Sequence, residues 1–566
     1  MRRRRSGFFL LIALIVITVA TMAVYTFTET MVTLDDAAYL ETDSAQADQC
    51  TLSAAAMLRV FLSQPIDARV AAGGTYNNPS MFQAVPISSE AGETYSFSII
   101  DTNLQPDGRL GGIRYGLRDE SSRLNVNALP ILDRNSDAIL PLMSALSGDV
   151  EGDIDALSAG DSGEVDQENL ASSLLMAVPG MTPDLADAIL DWIDEDDDPR
   201  PFGAETDDYA MLPTPYACTN GPITSVDELL LVQGMTPTLM FGADANRNGV
   251  LDADEQQRFG ISVDTPGSLG MAAYLTAFGS EANVRGDGTA KVNVNNPDVE
   301  ALYDQLQEVI ENADDASFIA AYRVAGTRAP TMASAASMEA AVEEAANGSD
   351  DAGSDDEDSG IVEGGVWTAD AIEQVDLTGG GQDISQLLDL IGATVTVSGA
   401  DGKQIRYESP FSIDPVSMQS YLPIFNDTLT TTDIERLPGR LNVNTCPVEL
   451  LYGIPMLDDE TISAIVETRD PLSTDPIRRD ATWLMAEGIV TIDQMRLLTP
   501  ILCGGGSVYR GQVIGYRSGG GAFDRAEIIM DAHTVNPKII GYRNLSHLGR
   551  GFDLSVLGSR FVATPQ

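Results

Sequence analysis

From Phe8 to Phe27 the chain runs 20 residues without a charged side chain, and Arg2, Arg3, Arg4 and Arg5 stand just before it. At about 1.5 Å rise per residue, such a helix spans about 30 Å, one hydrocarbon thickness. It is the one membrane-spanning segment this sequence offers. The arginines on one side, with Glu29, Asp35 and Asp36 on the other, place the N-terminus in the cytoplasm and the bulk of the chain outside. That bulk has ordinary globular usage, 43% hydrophobic and 21% charged, so most of it folds. Its charge is extreme: 33 Lys and Arg against 85 Asp and Glu leave −52, which disfavours approach to a nucleic-acid backbone. Two histidines and four cysteines leave little for zinc or histidine chemistry, whereas carboxylates and asparagines suit calcium. No G-x-S-x-G, H-E-x-x-H or Walker pattern occurs, and no enzyme is expected.

Three readings compete for the first thirty residues. A cleaved secretory signal has a shorter apolar region and a small-residue cleavage site after it, and neither is present. A plain anchor is the second. The third starts from the order Arg2–Arg5, Ser6, Gly7, Phe8, which resembles a type IV pilin-like leader. In that class, cleavage after Gly7 makes Phe8 the mature N-terminus of a long helix. Helical character continues through Ala54–Leu58 to about Leu62, with Gln64-Pro65 as a stop signal. Strand-like runs follow at residues 95–100 and 112–117, separated by turn formers at 103–108.

An internal repeat organises the rest. Arg123-Leu-Asn-Val-Asn127, Lys291-Val-Asn-Val-Asn295 and Arg440-Leu-Asn-Val-Asn444 share one pattern, each with Pro two or three residues on. Each reads as a short strand whose second Asn caps a helix carrying Pro in its first turn. Leu174–Trp192, with Pro179-Gly180 at its centre, and Leu450–Val466, with Pro455, read as helix, tight turn, capped helix, and so resemble helix-hairpin-helix units. Residues 225–237 look like a partial copy. Carboxylates at Asp184, Asp187 and Asp458–Glu460 occupy the places where a phosphate would dock, so packing is the expected role and nucleic acid is not an expected partner. Composition shifts to Gly, Ser and acidic residues at 147–167 and again beyond Ala329, which reads as a solvated linker. Strand-like runs return at 393–397, 404–407, 507–516 and 523–530.

Two acidic constellations invite a cation. Asp244-Ala-Asn-Arg-Asn-Gly-Val-Leu-Asp-Ala-Asp-Glu255 fills every slot of a twelve-residue calcium loop. Asp244, Asn246 and Asn248 are side-chain donors, Gly249 makes the turn, Val250 offers its carbonyl, and Asp252 and Glu255 close the set. Residues Asp191–Asp208 hold nine carboxylates and one arginine in 18 positions. Such repulsion calls for a counter-ion, and Asp194, Asp196, Asp198, Glu205 and Asp208 are the candidate ligands of a second site. A solvated acidic loop is the competing reading. Cys50, Cys218, Cys446 and Cys503 admit two disulfides in three connectivities, or buried free thiols.

Taken together, the leader, the three Asn repeats, Ile189–Asp194 with Pro199-Arg200 and Gly203–Glu205, and Ser225–Pro237 resemble the general secretion pathway protein K family, minor pseudopilins of type II secretion. The glutamate usual at the fifth mature position of pilin-like proteins is here Ile12, as the K subunit also lacks it. The resemblance implies a non-enzymatic tip subunit processed by prepilin peptidase. It implies complexes with I and J minor pseudopilins and the major pseudopilin, contacts with secreted substrates or the outer-membrane secretin, and calcium as cofactor. The location it implies is the inner membrane, single-pass, with the bulk periplasmic. A minor pilin of a type IV pilus or DNA-uptake system and a calcium-dependent envelope binding protein are the alternatives.

The expected fold is α+β. A leader (1–7) and a transmembrane and stem helix (8–62) lead into a pilin-like β region (63–126). An inserted α-helical domain with the calcium loop (127–328), an acidic disordered linker (329–385), a helix-hairpin-helix-containing region (386–506) and a C-terminal β region (507–566) follow.

Overall fold

The computed structural model describes residues 6–90, 93–134, 169–262, 265, 267–327, 361–378, 381–399 and 403–558. The acidic stretch 147–167 and the linker from 329 to 360 lie outside the described residues, as do Arg2–Arg5.

Helix α1 (Ser6–Leu62) is 57 residues long, about 85 Å at the usual rise. Its first half is exposed from Phe8 to Glu41. In its second half Asp43, Ala47, Cys50, Thr51, Ala54, Leu58, Phe61 and Leu62 are buried, at the three-and-four spacing that puts them on one face. The hydrophobic pattern therefore changes from all-round to one-sided within a single helix, and the one-sided part is where it meets protein. The helix ends before Pro65, as expected.

That face packs on an antiparallel sheet of seven strands: β1 (Val85–Glu90), β2 (Glu93–Leu104), β3 (Leu110–Tyr115), β4 (Arg118–Asp119), β5 (Val508–Arg517), β6 (Phe523–Asp531) and β7 (Lys538–Asn544). The order is β1-β2-β5-β6-β7, with β3 beside β2 and β4 beside β5. Phe97, Ile99, Val513, Ala526, Ile528 and Met530 meet Ala54, Leu58 and Phe61. Helix and sheet approach closely at Gly515, where a Cβ would lie 2.2 Å from the Ala47 carbonyl oxygen. Asp43 takes the Arg517 guanidinium at 3.1 Å, which fixes the helix along the sheet.

This sheet draws on both of the expected β regions. The two β regions, separated by nearly four hundred residues, are halves of one sheet, because β5 pairs with both β2 and β4. Everything from Glu120 to Ser507 is inserted between β4 and β5. At the junction Glu120 is buried and receives Arg123 and Arg510, while Arg510 also reaches Glu527 at 2.8 Å. Burial pushes the Glu120 carboxyl up, but the two arginines outweigh it and hold it well below the usual range.

The insert is built from three like units, one per Asn repeat. Leu124–Asn125 pairs in parallel with Leu275–Thr276, Val292–Asn293 with Leu429–Thr430, and Leu441–Asn442 with Leu502–Cys503. The leading basic residue reaches a carbonyl three residues before each closing strand: Arg123 to Ala272, Lys291 to Asn426, Arg440 to Thr499. The role expected of the second Asn belongs to the first. Asn125, Asn293 and Asn442 accept the N–H two residues on. The second Asn instead braces two distant segments. Asn127 donates to the Ile223 and Ala277 carbonyls, Asn295 to Ile384 and Thr431, and Asn444 to Arg478 and Gly504.

The linker reading also needs correction beyond residue 360. Ile361–Val366 pairs in parallel with Gln404–Glu408 in a four-stranded sheet. Trp367, 1% exposed, donates its indole N–H to Ser317 at 3.0 Å. A tryptophan and two valines outweigh the acidic composition around them. All four cysteines are free thiols.

Candidate functional site

The acidic run Asp191–Asp208 begins on the helix Pro183–Ile193, which Thr182 caps by accepting the Leu185 N–H at 3.3 Å. Its turn, Val178 N–H to Leu175 and Met181 N–H to Val178, recurs at Val232/Met235 and at Ile454/Leu457. The helix buries Leu185, Ile189 and Trp192, and in its last turn carries Asp191 inward, with no exposed surface at all. Pro199, Pro201 and Gly203 return the chain, so Glu205 reaches the same spot with 3% exposure. One carboxylate oxygen each from Asp191, Asp194 and Glu205 lie within 4.8 Å of one another.

Arg200 partly compensates this charge. Its Nη1 lies 2.6 Å from both Asp191 Oδ1 and Asp194 Oδ2, and its Nη2 lies 3.0 Å from Asp133 Oδ2. The Arg200 backbone N–H adds a bond to Asp191 Oδ2 at 3.2 Å. Glu205 is left over: both its carboxylate oxygens are buried without a hydrogen-bond partner. Burial, then the charges of Asp191 and Asp194, push its carboxyl up to about 7. Burial also raises Asp191 and Asp194. The pocket is shaped for a bare carboxylate, since a Cβ on Gly203 would lie 1.7 Å from Asp191 Oδ2. Buried, unpartnered oxygens of this kind fit a hard cation.

Of the five residues expected to form this site, the structure brings Asp194 and Glu205 together. Asp196 and Asp198 are exposed, Asp196 accepting the Asp198 N–H, and Asp208 accepts the Glu205 N–H. Asp191 was missed, although its i, i+3 spacing to Asp194 at a helix end is a readable signal.

The loop 244–255 has the expected turn. Gly249 sits at φ +80° and Arg247 at +55°. Asp244 accepts the Asn248 and Gly249 N–H groups at 3.0 and 2.8 Å, and Glu255 accepts those of Asn246 and Asp252 at 3.1 Å each. The Asn246 and Asn248 amides donate to Asp252 at 2.7 and 3.1 Å. Val250 donates its N–H to Asn248 Oδ1, which leaves its carbonyl as the expected donor. Asp244 is pushed up to about 6 by burial, with Glu255 adding to the effect. The oxygen set again suits calcium in kind, although among the described residues its three carboxylates do not converge as those of the Asp191 cluster do.

This loop also joins the insert to the sheet. Thr102 on β2 donates to the Gly249 carbonyl at 2.9 Å, Gln512 on β5 to Arg247 at 2.7 Å, and Arg525 on β6 to Asn246 and Arg247 at 2.9 and 2.7 Å. Gly7 and Phe8, the residues expected at the processing point, lie at the start of α1, whose exposed stretch from Phe8 onward includes 18 consecutive positions with a mean hydropathy of 2.7.

Residues 122–241 match the family described as type II secretion system (T2SS), protein K. The matched span holds the first Asn repeat, the Asp191 cluster and the first two of the recurring tight turns, at Val178–Met181 and Val232–Met235. Among solved structures, the GspK-GspI-GspJ complex from enterotoxigenic Escherichia coli aligns over 89% of this chain and 99% of its own, at 9% identity and a TM-score of 0.34. A likeness of that size carries no structural argument. No curated protein matches the chain.

Proposed function

We propose that this chain is a calcium-stabilised, non-enzymatic minor pseudopilin that caps the tip of the type II secretion pseudopilus. The protein K match over residues 122–241 carries the reading. A 57-residue helix, apolar and exposed in its first half and packed on an antiparallel sheet in its second, supports it. In this reading prepilin peptidase cuts after Gly7 in the inner membrane, and Phe8 becomes the methylated N-terminus. The apolar half then packs beside the helices of other pseudopilins. Ile12 leaves no carboxylate to meet a subunit above, and the bulk of the insert blocks further addition. The head faces the periplasm and meets I- and J-type minor pseudopilins.

The hairpins at 170–193 and 448–468 act as helix-hairpin-helix-like packing units, their apolar faces turned into the main core. Calcium would be held at the acidic cluster by Asp194 and Glu205, beside the Arg200-bound Asp191, and in the loop by Asp244, Asn246, Asn248, Val250, Asp252 and Glu255. It supplies the positive charge that these carboxylates lack. Coexpression of the full chain with I- and J-type minor pseudopilins tests the proposal. A complex of all three, recovered from detergent-solubilised inner membranes, is expected. A chain that purifies free of both would overturn it.

A further inference from the structure

Between the insert and the face of the sheet turned away from α1 lies a cavity of about 290 Å³. Asp101, Arg118, Arg510, Glu527 and Arg543 line it from the sheet, and Arg123, Asp227, Asp244 and Arg247 from the insert. Five arginines against four carboxylates leave one positive charge over, in a chain whose net charge is −52. Four of these arginines are matched. Arg118 holds Asp101, its Nε at 3.0 Å, and Arg123 holds Glu120. Arg510 bridges Glu120 and Glu527 at 2.7 and 2.8 Å, and Arg543 holds Asp227. Burial, then the Arg510 charge, pushes the Arg123 guanidinium down to about 10, so positive charge is crowded here even with its partners in place.

Arg247 is the arginine left over. Among the described residues its guanidinium makes no ion pair and donates no hydrogen bond; its central carbon lies 3.8 Å from the middle of the Phe241 ring, which also lines the cavity. That contact covers one face of the guanidinium and takes up none of its N–H donors. The backbone beneath it is fixed, since the Arg247 carbonyl accepts from Gln512 and Arg525. At the rim, the Arg543 and Asp227 side chains are 34% and 37% exposed. Strand β7, the edge of the sheet, lends Ile540, Gly541 and Tyr542 to the wall, and its Ile539, Ile540 and Tyr542 are 44, 40 and 49% exposed. An uncovered apolar edge strand beside a charged cavity suits a polypeptide that crosses the edge and sends one side chain inward.

We propose that this cavity is a docking site for one acidic side chain of a partner polypeptide, its carboxylate pairing with the Arg247 guanidinium while the chain that carries it lies against β7. Guanidinium and carboxylate match as planar forks, and such pairs are among the stronger polar contacts. A single carboxylate cancels the surplus charge. A phosphate dianion overshoots it and meets the carboxylates in the same wall.

Saturation-transfer NMR on the full-length protein in detergent tests this, with chelator present so that no cation on the 244–255 loop contributes. The probes are glutamate capped at both ends and capped glutamine, its neutral isostere. Capped glutamate should bind at low salt, and capped glutamine about tenfold more weakly or worse. Arg247→Gln removes the fork but keeps the carbonyl that Gln512 and Arg525 hold, and should weaken capped glutamate about tenfold or more. Should that variant fail to fold, Arg247→Lys carries the test: it keeps the charge, loses the fork, and should weaken binding about threefold or more. Placing valine on each side of the glutamate should tighten binding about threefold or more through contact with β7. No binding of capped glutamate, equal binding of the two probes, or wild-type affinity in the Arg247 variant would overturn the site. Stronger binding of inorganic phosphate than of capped glutamate would overturn the choice of carboxylate. No gain from the flanking valines would overturn the polypeptide and leave a site for a free acid.

Discussion

The second asparagine of each repeat offers a graded test of how the insert holds together. Asn295 donates to Ile384 and Thr431 at 2.9 and 3.0 Å and accepts the Ile384 N–H at 2.8 Å. Asn127 makes the matching three bonds with Ile223 and Ala277. Asn444 makes two, and its Oδ1 has no partner. A net hydrogen bond contributes about 1 kcal/mol, and orphaning a buried partner costs about 1–3 kcal/mol. Replacement by Ala should therefore cost about 3 kcal/mol at Asn127 or Asn295 and about 2 kcal/mol at Asn444. A chain of several units does not unfold in one step, so a single global midpoint does not say which unit a variant weakens. Native-state hydrogen exchange on the full-length protein resolves each unit. The Ile223 and Ile384 amides should exchange roughly a hundredfold faster in their own variants and unchanged in the others. Exchange within about threefold of wild type at both amides, or a larger effect at Asn444, would refute the bracing role.

Gly203→Ala drives a methyl into Asp191 Oδ2; it should cost about 1–3 kcal/mol and abolish any calcium-dependent rise in melting temperature, which calorimetry with and without chelator measures. Glu205 has its folded value raised from 4.5 to about 7, so between those values the folded state binds the extra proton and stability falls as pH rises. The melting temperature of chelator-treated protein should therefore drop from about pH 5 to about pH 8, and Glu205→Gln should flatten that slope. Arg525→Met removes the donors that hold the Asn246 and Arg247 carbonyls, and limited proteolysis should then cut between residues 244 and 255 while the sheet stays intact.

The legible parts of this chain were those with a local period. The membrane stretch, the stripe on the second half of α1 and the Asn-Val-Asn strings are written within a few residues of one another. The partners of those strings were not: Leu275–Thr276, Leu429–Thr430 and Leu502–Cys503 are two-residue strands, too short to carry alternation. The unity of the sheet was hidden for another reason, since the pairing of β5 with β2 spans the whole insert and leaves no local trace. At the acidic cluster, charge density marked the neighbourhood but could not choose among nine carboxylates. Burial chose Asp191, and the fold brought in Arg200 and Gly203.

The direct test of the pseudopilin reading is intact-mass and N-terminal peptide mass spectrometry of the chain from its native membranes. A mature chain starting at N-methylated Phe8 is expected. A chain that still begins at Met1-Arg2, in cells where prepilin peptidase is active, would contradict it.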